Sequence, residues 1–305
     1  MSLIGLLKRK GKSGFGNSTS AETVCQGIDL SGKTIVLTGC NSGIGLETLR
    51  VLGLAGAHIV ALARTSEKAK TALDTYSLKG TALECDLSEP SSVRNCVKAI
   101  KESGKTIDII IGNAGIMAMT KAEIKYNLEL QFLTNHVGHF TLVTGLLNQL
   151  SDKARVVILS SAAHQMAPKG GIDFDNLNCE KSYSKWKFYG QSKLANILFV
   201  KDLAKKLKSG QTANAVHPGV IQTKLGRHMG GFMNGLMRLL SPLFLKSIAQ
   251  GAATTCYVAT NPDLASVSAE YFADCNIAKV SAYGNDAELA TRLWDKTEEI
   301  LKDIK

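Results

Sequence analysis

Tyr-x-x-x-Lys occurs twice within "SYSKWKFYGQSKLANILF": Tyr183 precedes Lys187, and Tyr189 precedes Lys193. On a helix that spacing sets both side chains on one face, where an ammonium can act on a phenol. A phenol with a lowered pKa donates or accepts a proton near neutrality. A second chemistry-bearing stretch is "TGCNSGIG", Thr38 to Gly45, between an apolar run and a helix-like segment. Glycines placed there let the backbone turn tightly and approach a pyrophosphate, which rests on the free N–H groups and positive end of the helix. The expected cradle is Gly39, Asn41, Ser42, Gly43, Ile44 and Gly45. Its spacing is G-x-x-x-G-x-G, not the G-x-G-x-x-G of the general dinucleotide fingerprint. An enzyme that prefers NAD offers an acid about twenty residues on. Here Arg64 ends the next apolar run, and no acid appears until Glu67. A guanidinium offers paired donors to a 2′-phosphate, so NADP(H) is expected over NAD(H). Asp86, in "CDL", reads two ways: as an acceptor for an adenine amino group or as a turn cap.

These groups need a frame, and the apolar runs describe one. "KTIVLTG", "AHIVALA", "GTALECDL", "IDIIIGNAG", "RVVILSSAA" and "TANAVHPG" read as strands. Helical segments alternate with them: "GIGLETLRVLGLAG", one from Ser66, "PSSVRNCVKAIKES" with Pro90 in its first turn, a long one over Lys125 to Leu150, and the one carrying the Tyr-Lys pairs. Val/Ile/Leu runs without alternation predict strands buried on both faces. The predicted fold class is therefore α/β: a single doubly wound Rossmann domain whose parallel sheet is covered by helices on both faces. Residues 31–305 are assigned to it. Residues 1–30, rich in Gly, Ser, Thr and Lys without sustained periodicity, read as a flexible tail.

The chain of 305 residues can bury a large core, and 45% hydrophobic with 20% charged residues is ordinary for a soluble protein. The net charge of +10 is spread over helix faces such as "KDLAKKLKSG", without a basic stripe interleaved with aromatics. No nucleic-acid partner is expected. The one dense basic cluster, Lys8 to Lys12, follows "MSLIGLL", which is too short to span a bilayer and does not read as a signal peptide. A weak membrane-surface contact stays open there beside the preferred reading of a tail. Seven cysteines form no C-x-x-C pair, and an odd count fits a reducing cytoplasm better than a disulfide framework. His136 and His139 stand at helical spacing without nearby Cys or carboxylate ligands, so no metal is expected.

"TGCNSGIG", "NAG" (Asn113, Ala114, Gly115), "SS" (Ser160, Ser161), Tyr-x-x-x-Lys and "HPG" (His217, Pro218, Gly219) follow one another in order. In that order they resemble the short-chain dehydrogenase/reductase family over about residues 29–301. The phrases "LTNHVGHF", "YGQSKLANILF", "VHPGVIQT" and "RLWD" are similar to its retinol-dehydrogenase-like branch. The resemblance implies that Tyr189 is the proton donor or acceptor and that Lys193 lowers its pKa and binds the nicotinamide ribose. It further implies that Ser161 holds the substrate carbonyl and Asn135 completes a proton relay. Ser160 is the near rival of Ser161, and the family places the active serine second. Cofactor contacts implied besides the glycine loop and Arg64 are Asp86, Leu87, Asn113, Ala114, Gly115, Tyr189, Lys193, Pro218, Gly219, Val220 and Thr223. The physics is coherent: a cation near a phenol favours phenolate, and a hydroxyl stabilises charge developing on a carbonyl oxygen.

Local residues also separate the two tyrosines. Gly190 and Ser192 are small and would admit a nicotinamide and its ribose, whereas the first pair encloses Trp186. The stripe "LANILFVKDL" would pack the helix and fix Tyr189 and Lys193, while Tyr183 reads as an ordinary aromatic near the helix start. Ser161 and Tyr189 are separated by a long insertion that can shape the substrate pocket. Residues 224–248, rich in Met, Leu, Phe and Gly, suit a lid over a small lipophilic substrate, a contact with a membrane or second subunit of a homo-oligomer, or core. The function expected is interconversion of a hydrophobic alcohol and its aldehyde or ketone, in the cytoplasm or peripheral at a membrane. The competing readings are an NADP(H) sensor without turnover and, less well matched in glycine spacing, a nucleotide-sugar epimerase or dehydratase.

Overall fold

The computed structural model describes residues 10–221 and 245–304. Thr223 and most of the apolar segment that follows it lie outside the described residues. Seven strands run parallel: β1 (Thr34–Thr38), β2 (His58–Ala63), β3 (Gly80–Glu84), β4 (Ile107–Gly112), β5 (Leu150–Leu159), β6 (Thr212–His217) and β7 (Tyr271–Ala273). A short antiparallel β8 (Asn276–Ile277) completes a sheet of eight in the order β8-β7-β6-β5-β4-β1-β2-β3. The order reverses between β1 and β4, which leaves a crevice at the carboxyl ends of those two strands.

Helices α1 (Ala21–Val24), α2 (Gly43–Leu54), α3 (Ser66–Thr75), α4 (Pro90–Glu102), α5 (Gly138–Leu146), α6 (Lys185–Lys206), α7 (Ile248–Thr260) and α8 (Ala287–Asp303) cover the sheet. Successive strand residues point to opposite faces, so a continuous apolar run serves two cores. On one face Ile35, Leu37, Ile109 and Val157 pack with Leu49 and Leu52 of α2 and Ala253 and Val258 of α7. On the other, Val36, Ile110, Val156 and Ile158 pack with Val93 of α4, Phe140 of α5, Phe199 of α6 and Trp294 of α8. Trp294 meets Phe140 at 4.7 Å edge-on and stacks on Phe199 at 5.7 Å, holding α8 against α6. A third cluster, including Ile172, Leu177, Leu194 and Leu289, anchors the insertion between β5 and α6.

Two sequence expectations are corrected here. The long helix does not begin at Lys125: Ile124–Lys125 and Leu128–Glu129 pair as a small hairpin, turned at Tyr126 and Asn127 with φ of 52° and 57°. Helix starts at Leu130 because the buried Glu129 carboxylate caps it, accepting from Gln131 N and Phe132 N at 2.9 and 3.0 Å. It then passes through a π-helical turn, Leu133–Val137, into α5. The reading of residues 1–30 as a flexible tail also fails over part of its described length. Ala21, Val24, Cys25 and Leu30 are buried in the core, and Asn17 and Ser13 bond to Asp274 and Asn276. Sparse apolar residues without a period were enough, because each meets an existing surface instead of building one.

Candidate active site

Each of the first six parallel strands delivers a candidate residue just beyond its carboxyl end: Gly39, Arg64, Asp86, Asn113, Ser161 and Pro218. Gly39 and Gly43 take φ of 66° and 54°, a region that glycine enters without strain. A Cβ on Gly45 would overlap the Gly39 carbonyl and the Asn113 amide, so the loop closes only around a glycine. Asn41 and Ser42 are exposed, Gly43 and Ile44 partly so; Ser42 caps α2 without a side-chain bond, and the first turn carries no acid. Such a helix end offers N–H groups to an anion, so these residues fit a dinucleotide pyrophosphate. Arg64 is exposed and has no hydrogen bond or ion pair among the described residues. Asp86 takes the turn-capping role through Oδ1, which accepts from Ser88 N and Ser88 Oγ at 2.9 and 2.7 Å. Leu87 is buried, with Gly138 packed against its carbonyl.

The NAG turn is built inward. Asn113 donates its side-chain amide to Thr38 O at 2.9 Å and Gly39 O at 3.3 Å, and the backbone N–H groups of Asn113 and Ala114 both donate to Thr38 Oγ1 at 2.9 Å. Asn113 therefore shapes the glycine loop through its own side chain. A Cβ added to Gly115 would lie 3.0 Å from Asn135 Oδ1 and 3.4 Å from Lys193 Nζ. That glycine is where the NAG turn meets the Tyr-Lys helix.

Tyr189 and Lys193 lie in the second turn and beyond of α6, while Tyr183 precedes the helix and its N-cap, Ser184. The Tyr183 hydroxyl donates to Met119 O at 2.7 Å and stacks its ring on Phe188 at 5.4 Å, a role in pinning the insertion. Lys187 is exposed. Lys193 is buried, donates to Leu159 O at 3.1 Å, and has its Nζ 5.8 Å from the Tyr189 ring centre. Burial lowers its pKa to about 8. The expected lowering of the phenol pKa by Lys193 is not what this structure shows. Burial pushes Tyr189 up to about 12, and the Ser161 hydroxyl, bonded to the phenol, opposes the rise. The Ser161 hydroxyl also accepts from Ala163 N at 3.1 Å, capping the 3-10 turn that follows. Ser160 is occupied elsewhere, donating to Lys193 O at 2.7 Å in the interior.

Asn135 is fully buried within the π-helical turn. Its side chain accepts from Ile116 N at 2.8 Å and donates to Ile116 O and Ser192 Oγ, both at 2.9 Å. The small residues beside Tyr189 do not open space for a cofactor. A Cβ at Gly190 would come within 2.6 Å of Ala163 O and 2.8 Å of Ala167 N, and Ser192 is buried with its hydroxyl donated to Tyr189 O. Both residues bind α6 to its neighbours. Pro218 leads into Gly219, at φ 93°, against which the buried Lys246 side chain lies; Val220 is 58% exposed.

Thr38, His139 and Lys246 were not anticipated as site residues. Thr38 stood in plain view as the first letter of the glycine motif. From sequence His139 reads only as a possible metal ligand, and its place one helical turn after Asn135 is the available signal. Lys246 ion-pairs with Asp274 at 2.6 Å, a contact with no local sequence signature. No cluster of metal-ligating side chains occurs among the described residues.

A glycine loop at the switch point lies next to the buried Lys193 and Asn135 and the half-buried Tyr189 and Ser161, an arrangement that fits a nicotinamide-type oxidoreductase site on a doubly wound fold. Comparison with known proteins agrees. The family model for short chain dehydrogenases matches residues 33–174. The chain is 40% identical to short-chain dehydrogenase TIC 32 A, chloroplastic, of Brassica napus, over the whole of both chains. It is 38% identical to human retinol dehydrogenase 11, covering 90% of this chain and 87% of that one. A crystal structure from Mycobacterium paratuberculosis superposes with a TM-score of 0.74 at 31% identity, over 91% of this chain and 97% of the other. The chain belongs to the short-chain dehydrogenase/reductase family of oxidoreductases and has relatives among the retinol dehydrogenases.

Proposed function

We propose that the protein is an NADP(H)-dependent oxidoreductase that interconverts a hydrophobic alcohol and its aldehyde or ketone. The observation that carries this reading is the convergence of Tyr189, Ser161, Lys193 and Asn135 beside the glycine cradle. The glycine loop and Arg64 would hold NADPH, which when bound would supply the hydride for a substrate carbonyl carbon. Ser161 donates a hydrogen bond to the carbonyl oxygen and holds it beside Tyr189, whose phenol delivers the proton. With its pKa at about 12, the phenol is protonated at neutral pH, the state that reduction requires. Asn135 holds the Ile116 backbone and Ser192, and so fixes the wall behind Lys193. Arg64, exposed and unpaired among the described residues, suits the 2′-phosphate that distinguishes NADP(H). A protein of the same fold from Burkholderia cenocepacia, at 23% identity and TM-score 0.63, was crystallised with NADP.

A lipophilic substrate is supported by apolar surface next to the reacting groups. Met166, at the end of the turn that Ser161 caps, is 47% exposed, and Trp186 stands edge-on to Tyr189 at 6.3 Å. Seven buried free cysteines fit a reducing compartment. No helix among the described residues is long and apolar enough to cross a membrane. The test is consumption of NADPH and of NADH with medium- and long-chain aldehydes, followed by absorbance of the reduced nicotinamide. Turnover with NADPH, and at least tenfold less with NADH, is expected. Tight NADPH binding with no turnover of any carbonyl or alcohol would replace this reading with that of a cofactor sensor.

A further inference from the structure

His139 joins the cofactor loop to Asn135 through bonds whose direction can be worked out. Thr38 Oγ1 has two lone pairs, and the N–H groups of Asn113 and Ala114 occupy both at 2.9 Å. The Thr38 hydroxyl hydrogen is then left for its third partner, His139 Nε2, at 2.9 Å. Nε2 is therefore the acceptor, and the ring proton sits on Nδ1. The other end gives the same answer independently: Nδ1 lies 2.9 Å from the Asn135 carbonyl, which can only accept. The ring is fully buried, and Gly112 is what leaves room for it: a Cβ added there would come within 2.9 Å of its Cδ2. Burial and the nearby Lys193 charge keep it neutral, with a pKa of about 4.

We propose that His139 is a positioning residue that locks the Thr38 hydroxyl for the NAG turn at one end and the Asn135 carbonyl at the other, so that one imidazole sets both cofactor affinity and turnover. This rests on the proposed function, on its NADP(H) reading for the affinity arm and on its oxidoreductase reading for the turnover arm. The π-helical turn, in which Gly138 N reaches back to Leu133 O, lets the His139 ring approach the Asn135 carbonyl. An unlocked Thr38 hydroxyl would rotate away and leave the Asn113 and Ala114 N–H groups without their common acceptor. A freed Asn135 would loosen the Ile116 and Ser192 bonds that back Lys193.

The imidazole's two nitrogens can be mimicked separately. His139→Gln reaches Thr38 but not the Asn135 carbonyl, His139→Asn does the reverse, and His139→Phe makes neither bond. NADPH affinity, measured by fluorescence quenching without substrate, is expected to fall about tenfold in His139→Phe and His139→Asn and less than threefold in His139→Gln. The kcat is expected to fall about tenfold in His139→Phe and His139→Gln and less than threefold in His139→Asn. Nitrogen-15 NMR of the wild type should show His139 as the Nδ1–H tautomer from pH 6 to 9. A wild-type-like His139→Phe, or equal losses in both properties for Asn and Gln, would overturn the proposal, as would the Nε2–H tautomer. If His139→Phe does not fold, the Asn and Gln pair still carries the comparison. A wild type that binds NADPH without turnover removes the oxidoreductase reading, while the affinity arm and the tautomer still decide the role of His139.

Discussion

Lys193 carries a testable electrostatic cost. Its folded pKa, about 8, lies below the ordinary lysine value of 10.5 because burial disfavours the charged form. Between those values the unfolded chain binds more protons than the folded one, so stability rises with pH across that window. Below pH 8 the penalty is present in full. Replacing Lys193 with Met removes it, and the stability of the wild type relative to Lys193→Met should increase by about 2 kcal/mol between pH 7.5 and 9.5. Urea unfolding of both proteins at the two pH values measures this; parallel curves would mean that Lys193 is solvated. The sequence made the Tyr-Lys spacing visible, and the geometry places Tyr183 before the helix and Tyr189 within it. The raised phenol pKa was not legible, because burial depends on what folds over a residue and not on what stands four positions away.

At the scale of elements, the site depends on how closely α6 approaches the segment after Ser161. Gly190 permits that approach, and a methyl group there would meet Ala163 O at 2.6 Å and the backbone of Met166 at 2.8 Å. Gly190→Ala should push the helix away, cost about 1–3 kcal/mol in stability, and lower kcat more than NADPH affinity. Equilibrium unfolding and steady-state kinetics check it, and an unchanged kcat would mean the approach is not required. The strand and helix alternation was legible because buried parallel strands leave unbroken Val/Ile/Leu runs. The start of the helix after the NAG turn was misread, since a two-residue hairpin held by Glu129 and a Tyr126–Asn127 turn has no period to detect. The buried helix at Ala21–Val24 was missed for the same reason: four residues are too few to show a stripe.

The whole molecule is a frame that turns strand ends into one crevice, and ligand binding should stabilise it as a unit. Saturation with NADPH at a hundred times its Kd should add about 2.7 kcal/mol to unfolding. Arg64→Asp should remove most of that gain for NADPH while leaving or improving the gain for NADH, as followed by thermal unfolding. Equal stabilisation of Arg64→Asp and wild type by NADPH would place the 2′-phosphate elsewhere. The central claim concerns the proton donor, and a single-turnover comparison tests it most directly. Wild type, Tyr189→Phe and Tyr183→Phe, each saturated with NADPH, would be mixed with one accepted aldehyde and followed at the nicotinamide absorbance. The account predicts a loss of at least about a hundredfold in Tyr189→Phe alone, with cofactor binding retained. A Tyr189→Phe enzyme that reduces aldehyde at the wild-type rate, or a loss confined to Tyr183→Phe, would contradict it.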